Sequence, residues 1–264
     1  MELADHCRAG DLAALRAYCD RANVTAAQVR EACVLVLVCE RGNLEVARWL
    51  WQTFQLTAAD AQMSENWALR WACRNGHLEV ARWLQRTFRL TADDARAQDN
   101  QALRMACLNG HLEVAHWLQQ TFQLTALDAR AVDNWALRWA CKSGRPEVAS
   151  WLQQTFQLTA TDARSMNNYA LCWACAHGHL EVACWLQRTF QLTATDARAG
   201  DNWALCMACM NGHLEVACWL QRTFQLTAAD ARSQDNWAVR GACENGHLEI
   251  LCWMQQTWGL TVGC

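Results

Sequence analysis

The chain has one proline, Pro146, and one lysine, Lys142, in 264 residues. With 12 glycines and no Ser/Gly-rich or charge-block stretch, nothing in it reads as a linker between domains. Basic residues are slightly outnumbered, 23 to 26, which leaves a net charge of −3. That balance excludes the strongly basic surface that nucleic acid demands. No apolar run approaches the roughly 20 residues that cross a bilayer. The longest, Ala32 to Cys39, reads as a buried helix. The opening Met1-Glu2-Leu3-Ala4-Asp5 is acidic where a secretory leader is basic. The expectation is a cytoplasmic or nuclear chain that is not secreted. Serine is scarce, and neither Gly-x-Ser-x-Gly nor a glycine-rich phosphate loop occurs. The chain is therefore read as no enzyme, with no cofactor and no metal.

What it does have is a period. Trp49, Trp83, Trp117, Trp151, Trp185, Trp219 and Trp253 follow one another at a step of 34. Gly42, Gly76, Gly110, Gly144, Gly178, Gly212 and Gly246 keep the same step, as do Cys39, Cys73, Cys107, Cys141, Cys175, Cys209 and Cys243. A period in the range of about 20–50 residues means a solenoid whose units bury their apolar faces only against neighbours. Such an array offers a broad binding surface rather than one catalytic pocket. Residues 1–27 keep Gly10-Asp11-Leu12 but lose the tryptophan, and are expected to cap the array. Residues 28–264 hold seven repeats in one continuous solenoid. The last is incomplete, since Leu260 to Cys264 falls where a further short helix would begin.

Within the repeat 66–99, Asn66 precedes the apolar run Trp67, Ala68, Leu69, Trp71, Ala72, and is expected to cap a first helix. Asn75-Gly76 ends it, since glycine adopts the left-handed conformation at little cost. A second helix follows, with Leu78, Ala81 and Leu84 on its buried face and Glu79 in its first turn. Pro146 stands near the start of the equivalent helix, where its missing amide costs nothing. Thr57, Thr91, Thr125, Thr159, Thr193 and Thr227 each precede an aspartate by three residues, a capping box that predicts a short third helix. The recurrent tryptophans are read as packing between units, each burial worth roughly 4–6 kcal/mol before entropy. The 16 cysteines are read as reduced thiols, since seven of them share one interior slot.

The stretch Gly76-His77-Leu78-Glu79-Val80, repeated at Gly110, Gly178 and Gly212, resembles the turn and second helix of ankyrin repeats. Leu69 and Ala72 match the family's first helix, and the likeness covers about 220 residues. It implies an all-α, ankyrin-like solenoid of about eight helix-turn-helix units that binds a protein partner. Two features depart from the family: the period is 34 rather than 33, and QLTAADAR-type sequence replaces the β-hairpin finger. The tetratricopeptide family shares the period, but its Leu-Gly pair and terminal proline are missing here.

In a repetitive binder, specificity comes from positions that change. On the first helix these are Arg70, Arg104, Arg138, Cys172, Cys206 and Arg240, and four residues on, Arg74, Leu108, Lys142, Ala176, Met210 and Glu244. A spacing of four puts both columns on one helix face, and they are the candidate partner-binding residues. The loop columns beginning Met63 and Ser64 vary as well. Two other readings remain open. Cys172-x-x-Cys175-x-His177-x-His179 allows a metal- or redox-responsive protein, and Trp253, Met254 and Trp258 allow weak self-association of an otherwise monomeric chain. The recurrent histidine after glycine reads as structural.

Overall fold

A computed structural model describes residues 3–260. Among these residues every element is helical and no strand occurs. They fall into two compact units that divide between Ala131 and Val132.

In the first unit, helices Leu3–Ala9 and Leu12–Ala22 precede the repeats. The apolar run becomes helix Val34–Arg41, with Val34, Leu35, Val36, Val38 and Cys39 buried. It pairs with Leu44–Phe54. Then come the short helix Ala58–Ala61, Met63–Arg74 and Leu78–Phe88. The next short helix and first helix run together as Ala92–Asn109, followed by Leu112–Phe122 and Ala126–Ala129. The second unit repeats the order. Its first helices are Ala131–Lys142, Ser165–Ala176, Ala199–Met210 and Ser233–Glu244. Its second helices are Pro146–Phe156, Leu180–Phe190, Leu214–Phe224 and Leu248–Trp258. The short ones are Ala160–Ala163, Ala194–Ala197 and Ala228–Ala231, a single turn each. Pro146 is the first helical residue, as its missing amide requires.

The boundaries follow from local chemistry. At the glycine turn the His77 amide donates to Ala72 O and the Gly76 amide to Cys73 O, closing a Schellman motif around Gly76 at φ +77°. Within each capping box the amide and the hydroxyl of threonine both donate to one aspartate oxygen. For Thr57 and Asp60 these bonds are 2.7 and 2.9 Å. Asp60 is itself buried, and Arg30 of the preceding repeat donates to its other oxygen at 2.8 Å. Arg96–Asp128, Arg164–Asp196 and Arg198–Asp230 repeat the arrangement, and Gln62 takes the arginine's part at Asp94.

Histidine locks the glycine turns together. His77 Nε2 lies 3.0 Å from Glu40 O of the preceding repeat, and Asn75 donates to the same carbonyl. Its ring covers Gly42, where a Cβ would stand 2.6 Å from Nδ1. The histidine column is therefore committed to packing.

Leu69, Leu84, Ala81 and the interior cysteines Cys73, Cys107, Cys141, Cys175 and Cys209 are fully buried. Leu78 is only half-buried, and Val80 fills the core in its place. The second-helix tryptophans pack edge-on against the aromatic ring five residues on, as Trp83 does on Phe88 at 5.5 Å and Trp253 on Trp258 at 4.8 Å. The expected continuation from Thr261 to Cys264 lies outside the described residues.

Candidate partner-binding surface

The first helix of each repeat is entered through an unusual backbone. Ser64, Glu65 and Asn66 have φ of 51°, 57° and 62°, three left-handed residues in succession. The same run occurs at 98–100, 132–134, 166–168, 200–202 and 234–236. Left-handed backbone costs about 1–2 kcal/mol per residue, least for Gly, Asn and Asp. Asparagine holds the third position every time and Asp or Asn the second in all but Glu65. This corrects the capping role expected of Asn66. It is chosen for its backbone, and its buried Oδ1 meets no donor among the described residues.

The turn decides where the first candidate column goes. Arg70 Nη2 turns back to donate to Ser64 O at 2.6 Å, and Nη1 bonds Gln101 of the next repeat. Arg104 Nη2 donates to Gln98 O at 2.9 Å. Arg138 donates to Asp133 O at 2.7 Å and Val132 O at 2.8 Å. Arg138 is 9% exposed, Cys172 1% and Cys206 0%. Their side chains face the interior, and Ala176 is buried as well. Arg70 and Arg104 are half-buried and only Arg240 is exposed.

The second column keeps more of its surface. Arg74 and Glu244 are exposed, while Leu108, Lys142 and Met210 are half-exposed. Arg74 lies over the Trp71 ring at 4.5 Å. Lys142 Nζ sits between two rings, 4.0 Å from Trp139 and 4.3 Å from Trp173. Within 6 Å of a ring centre, such cations are attracted by the ring quadrupole.

Those rings are what the sequence reading passed over. Trp67, Trp71, Trp135, Trp139, Tyr169, Trp173, Trp203 and Trp237 occupy two first-helix slots and are not fully buried. Trp67 is 42% exposed. In the second unit Trp135 meets Trp139 at 4.8 Å, Tyr169 stacks on Trp203 at 5.4 Å, and Trp173 meets Trp203 edge-on at 5.3 Å. The signal was present in the sequence. These slots change ring type from repeat to repeat, whereas the second-helix tryptophan does not.

Among the described residues no three of His, Cys, Asp and Glu converge as a metal ion requires, and the described cysteines are free thiols. Burial pushes the Cys172 thiol up to about 12 and raises that of Cys175 well above its ordinary value. His177 instead stacks on Trp173 at 5.5 Å. Burial, then the charge of Lys142, holds its pKa below the usual histidine value.

Residues 103–196 match the family model of ankyrin repeats, 3 copies. Over this stretch the chain consists of ankyrin repeats. The matched stretch carries the same 34-residue unit as the repeats on either side of it. Among solved structures, an ankyrin repeat family protein from Legionella pneumophila is similar at 17% identity. The match covers 91% of this chain and 78% of that one, with a TM-score of 0.41. No curated protein matches the sequence. Ankyrin repeats are generally protein–protein interaction modules and typically non-catalytic. Among the described residues no helix is long and apolar enough to cross a membrane.

Proposed function

We propose that the chain is a non-catalytic scaffold that holds a protein partner against the first-helix face of its repeats. The observation that carries this reading is the set of partly exposed first-helix rings, Trp67 and Trp71 in the first unit and Trp135 to Trp237 in the second, flanked within each unit by side chains that differ between repeats. Aromatic and cationic side chains of this kind anchor protein interfaces. The second-helix face varies mainly in one column, Arg48, Arg82, His116, Ser150, Cys184, Cys218 and Cys252, which carries no tryptophan, tyrosine or phenylalanine ring. In this reading residues 1–27 cap seven repeats over 28–264. Free, largely buried thiols favour a reducing compartment, the cytoplasm or nucleus.

Affinity capture from an extract of the source cells tests it. The parent is run beside Arg74→Glu/Lys142→Glu on the first-helix face and Arg82→Glu/Arg222→Glu on the second. A protein retained by the parent and the second-helix variant, but lost by the first-helix variant, is the expected result. Loss only in the second-helix variant moves the site to the other face, and capture of nothing by the parent overturns the scaffold.

A further inference from the structure

Three repeats build a guanidinium into the left-handed turn. Arg70, Arg104 and Arg138 each reach back five or six residues to turn carbonyls at 2.6–2.9 Å. In each case the carboxylate of the turn's second residue, Glu65, Asp99 or Asp133, acts on the same guanidinium. Backbone oxygens beside a carboxylate are what a planar fork of N–H donors recognises. The molecule thus shows three times what this turn binds.

Two repeats keep the turn and lose the arginine. Residues 166–168 and 200–202 hold the same left-handed geometry, with φ between 52° and 62°. Cys172 and Cys206 stand where arginine would. Neither repeat brings a guanidinium of its own back to its turn from the slot of Arg70, Arg104 and Arg138. Cys172 Sγ lies 3.8 Å from Asn167 O, and Ser233 Oγ donates to Asp201 O at 2.9 Å. Met166, Asn167, Gly200 and Asp201 are all exposed. Beside them stand Tyr169, Trp173 and Trp203, all half-exposed. Lys142 shows that rings on this face already accept a cation. At the slot of Arg74 and Lys142, these two repeats carry Ala176 and Met210, so neither supplies a cation of its own there.

We infer that the turns at 166–168 and 200–202 take arginine side chains from the partner, which presents them on an extended basic segment. Each guanidinium bonds the turn carbonyls, at 200–202 beside the Asp201 carboxylate, and lies against the rings of Tyr169 and Trp203. Packed helices stand about 8–10 Å apart, and an extended chain advances roughly 3.3 Å per residue. Arginines three residues apart, Arg-x-x-Arg, therefore match two successive turns. This deepens the scaffold reading and rests on it, since it names what the first-helix face selects.

The test titrates the full chain into a fluorescein-labelled Arg-Ala-Ala-Arg peptide, with Lys-Ala-Ala-Lys and Arg-Ala-Arg peptides as comparators. Saturable binding is expected for the first, and at least tenfold weaker binding for each comparator. Cys206→Arg supplies the guanidinium in cis and should weaken binding about tenfold. Asp201→Asn and Trp203→Ala should weaken it threefold or more, with far-UV circular dichroism showing that each variant is folded. Equal binding of the arginine and lysine peptides overturns the inference, leaving only charge attraction. Unchanged binding in folded Asp201→Asn and Trp203→Ala also overturns it. If no peptide binds while capture still depends on Arg74 and Lys142, this inference fails and the scaffold stands. If capture itself is absent, the scaffold fails independently.

Discussion

Arg164 of one repeat closes on Asp196 of the next, Nε to Oδ1 at 2.6 Å and Nη2 to Oδ2 at 3.0 Å. The same carboxylate already accepts the amide and hydroxyl of Thr193. One buried aspartate thus starts a helix and joins two repeats. Asp196→Ala removes both tasks and leaves the Thr193 amide unpaired, so a loss of about 2–4 kcal/mol is expected. Arg164→Ala should cost less, about 1–2 kcal/mol, because the arginine is 39% exposed and water replaces part of its bond. Urea unfolding of both variants and of the double variant checks this. A double variant that costs the full sum of the two would show the pair to be uncoupled.

Acid should loosen the repeats through these aspartates. Burial alone would raise the Asp196 pKa, but the bonds from Arg164 and Thr193 outweigh it and hold the group at about 2. Asp60, Asp94, Asp128 and Asp230 are lowered as well. A depressed folded pKa contributes stability above the unfolded value, about 3.9, that is lost as pH falls through the folded value. Stability should therefore drop between pH about 4 and about 2. Asp196→Asn should flatten part of that drop in an acid titration followed by circular dichroism.

Gly178 and Gly246 occupy the same slot with different surroundings. A Cβ on Gly178, at φ +75°, would stand 2.7 Å from His213 Nδ1, whereas one on Gly246, at φ +71°, meets nothing within 4 Å. Gly246→Ala should cost about 1 kcal/mol, the backbone strain alone. Gly178→Ala should cost about 2–3 kcal/mol, because it also displaces His213 from Ala176 O. Equal melting shifts in the two variants would refute the histidine lock.

Val132 is a β-branched residue at φ +53° and 44% exposed, the least suited side chain in any of the left-handed turns. Replacing it with the glycine found at position 200, Val132→Gly, should raise stability by about 1 kcal/mol in thermal unfolding. A lowered melting temperature would mean that the valine side chain contributes packing that outweighs its strain.

The parts of the fold visible in the sequence were those decided within one helical turn. Thr193 and Asp196 stand three residues apart, and Gly76 ends a helix by its own backbone freedom, so both could be read directly. The bond from Arg164 to Asp196 spans 32 residues and exists only once repeats stack. Asn66 was ambiguous because asparagine serves both as a helix cap and in left-handed backbone. The candidate site suffered from the same limit. Arg70, Arg104 and Arg138 vary to Cys172 and Cys206 and so resembled a specificity column, yet their guanidiniums turn inward to carbonyls. Glutamate at all three positions, a natural probe of that column, would break turns before it tested a partner. Arg74 and Lys142 lie against Trp71, Trp139 and Trp173, contacts that the spacing of four does not reveal.

Six repeats share a sealed thiol at the same depth, Cys39, Cys73, Cys107, Cys141, Cys175 and Cys209, and two of them add a second in Cys172 and Cys206. A thiol reagent meets such a group only when its own repeat opens. The chain thus contains a row of evenly spaced clocks. Pulse labelling followed by peptide mass spectrometry would time the opening of every repeat separately, without introducing a single probe.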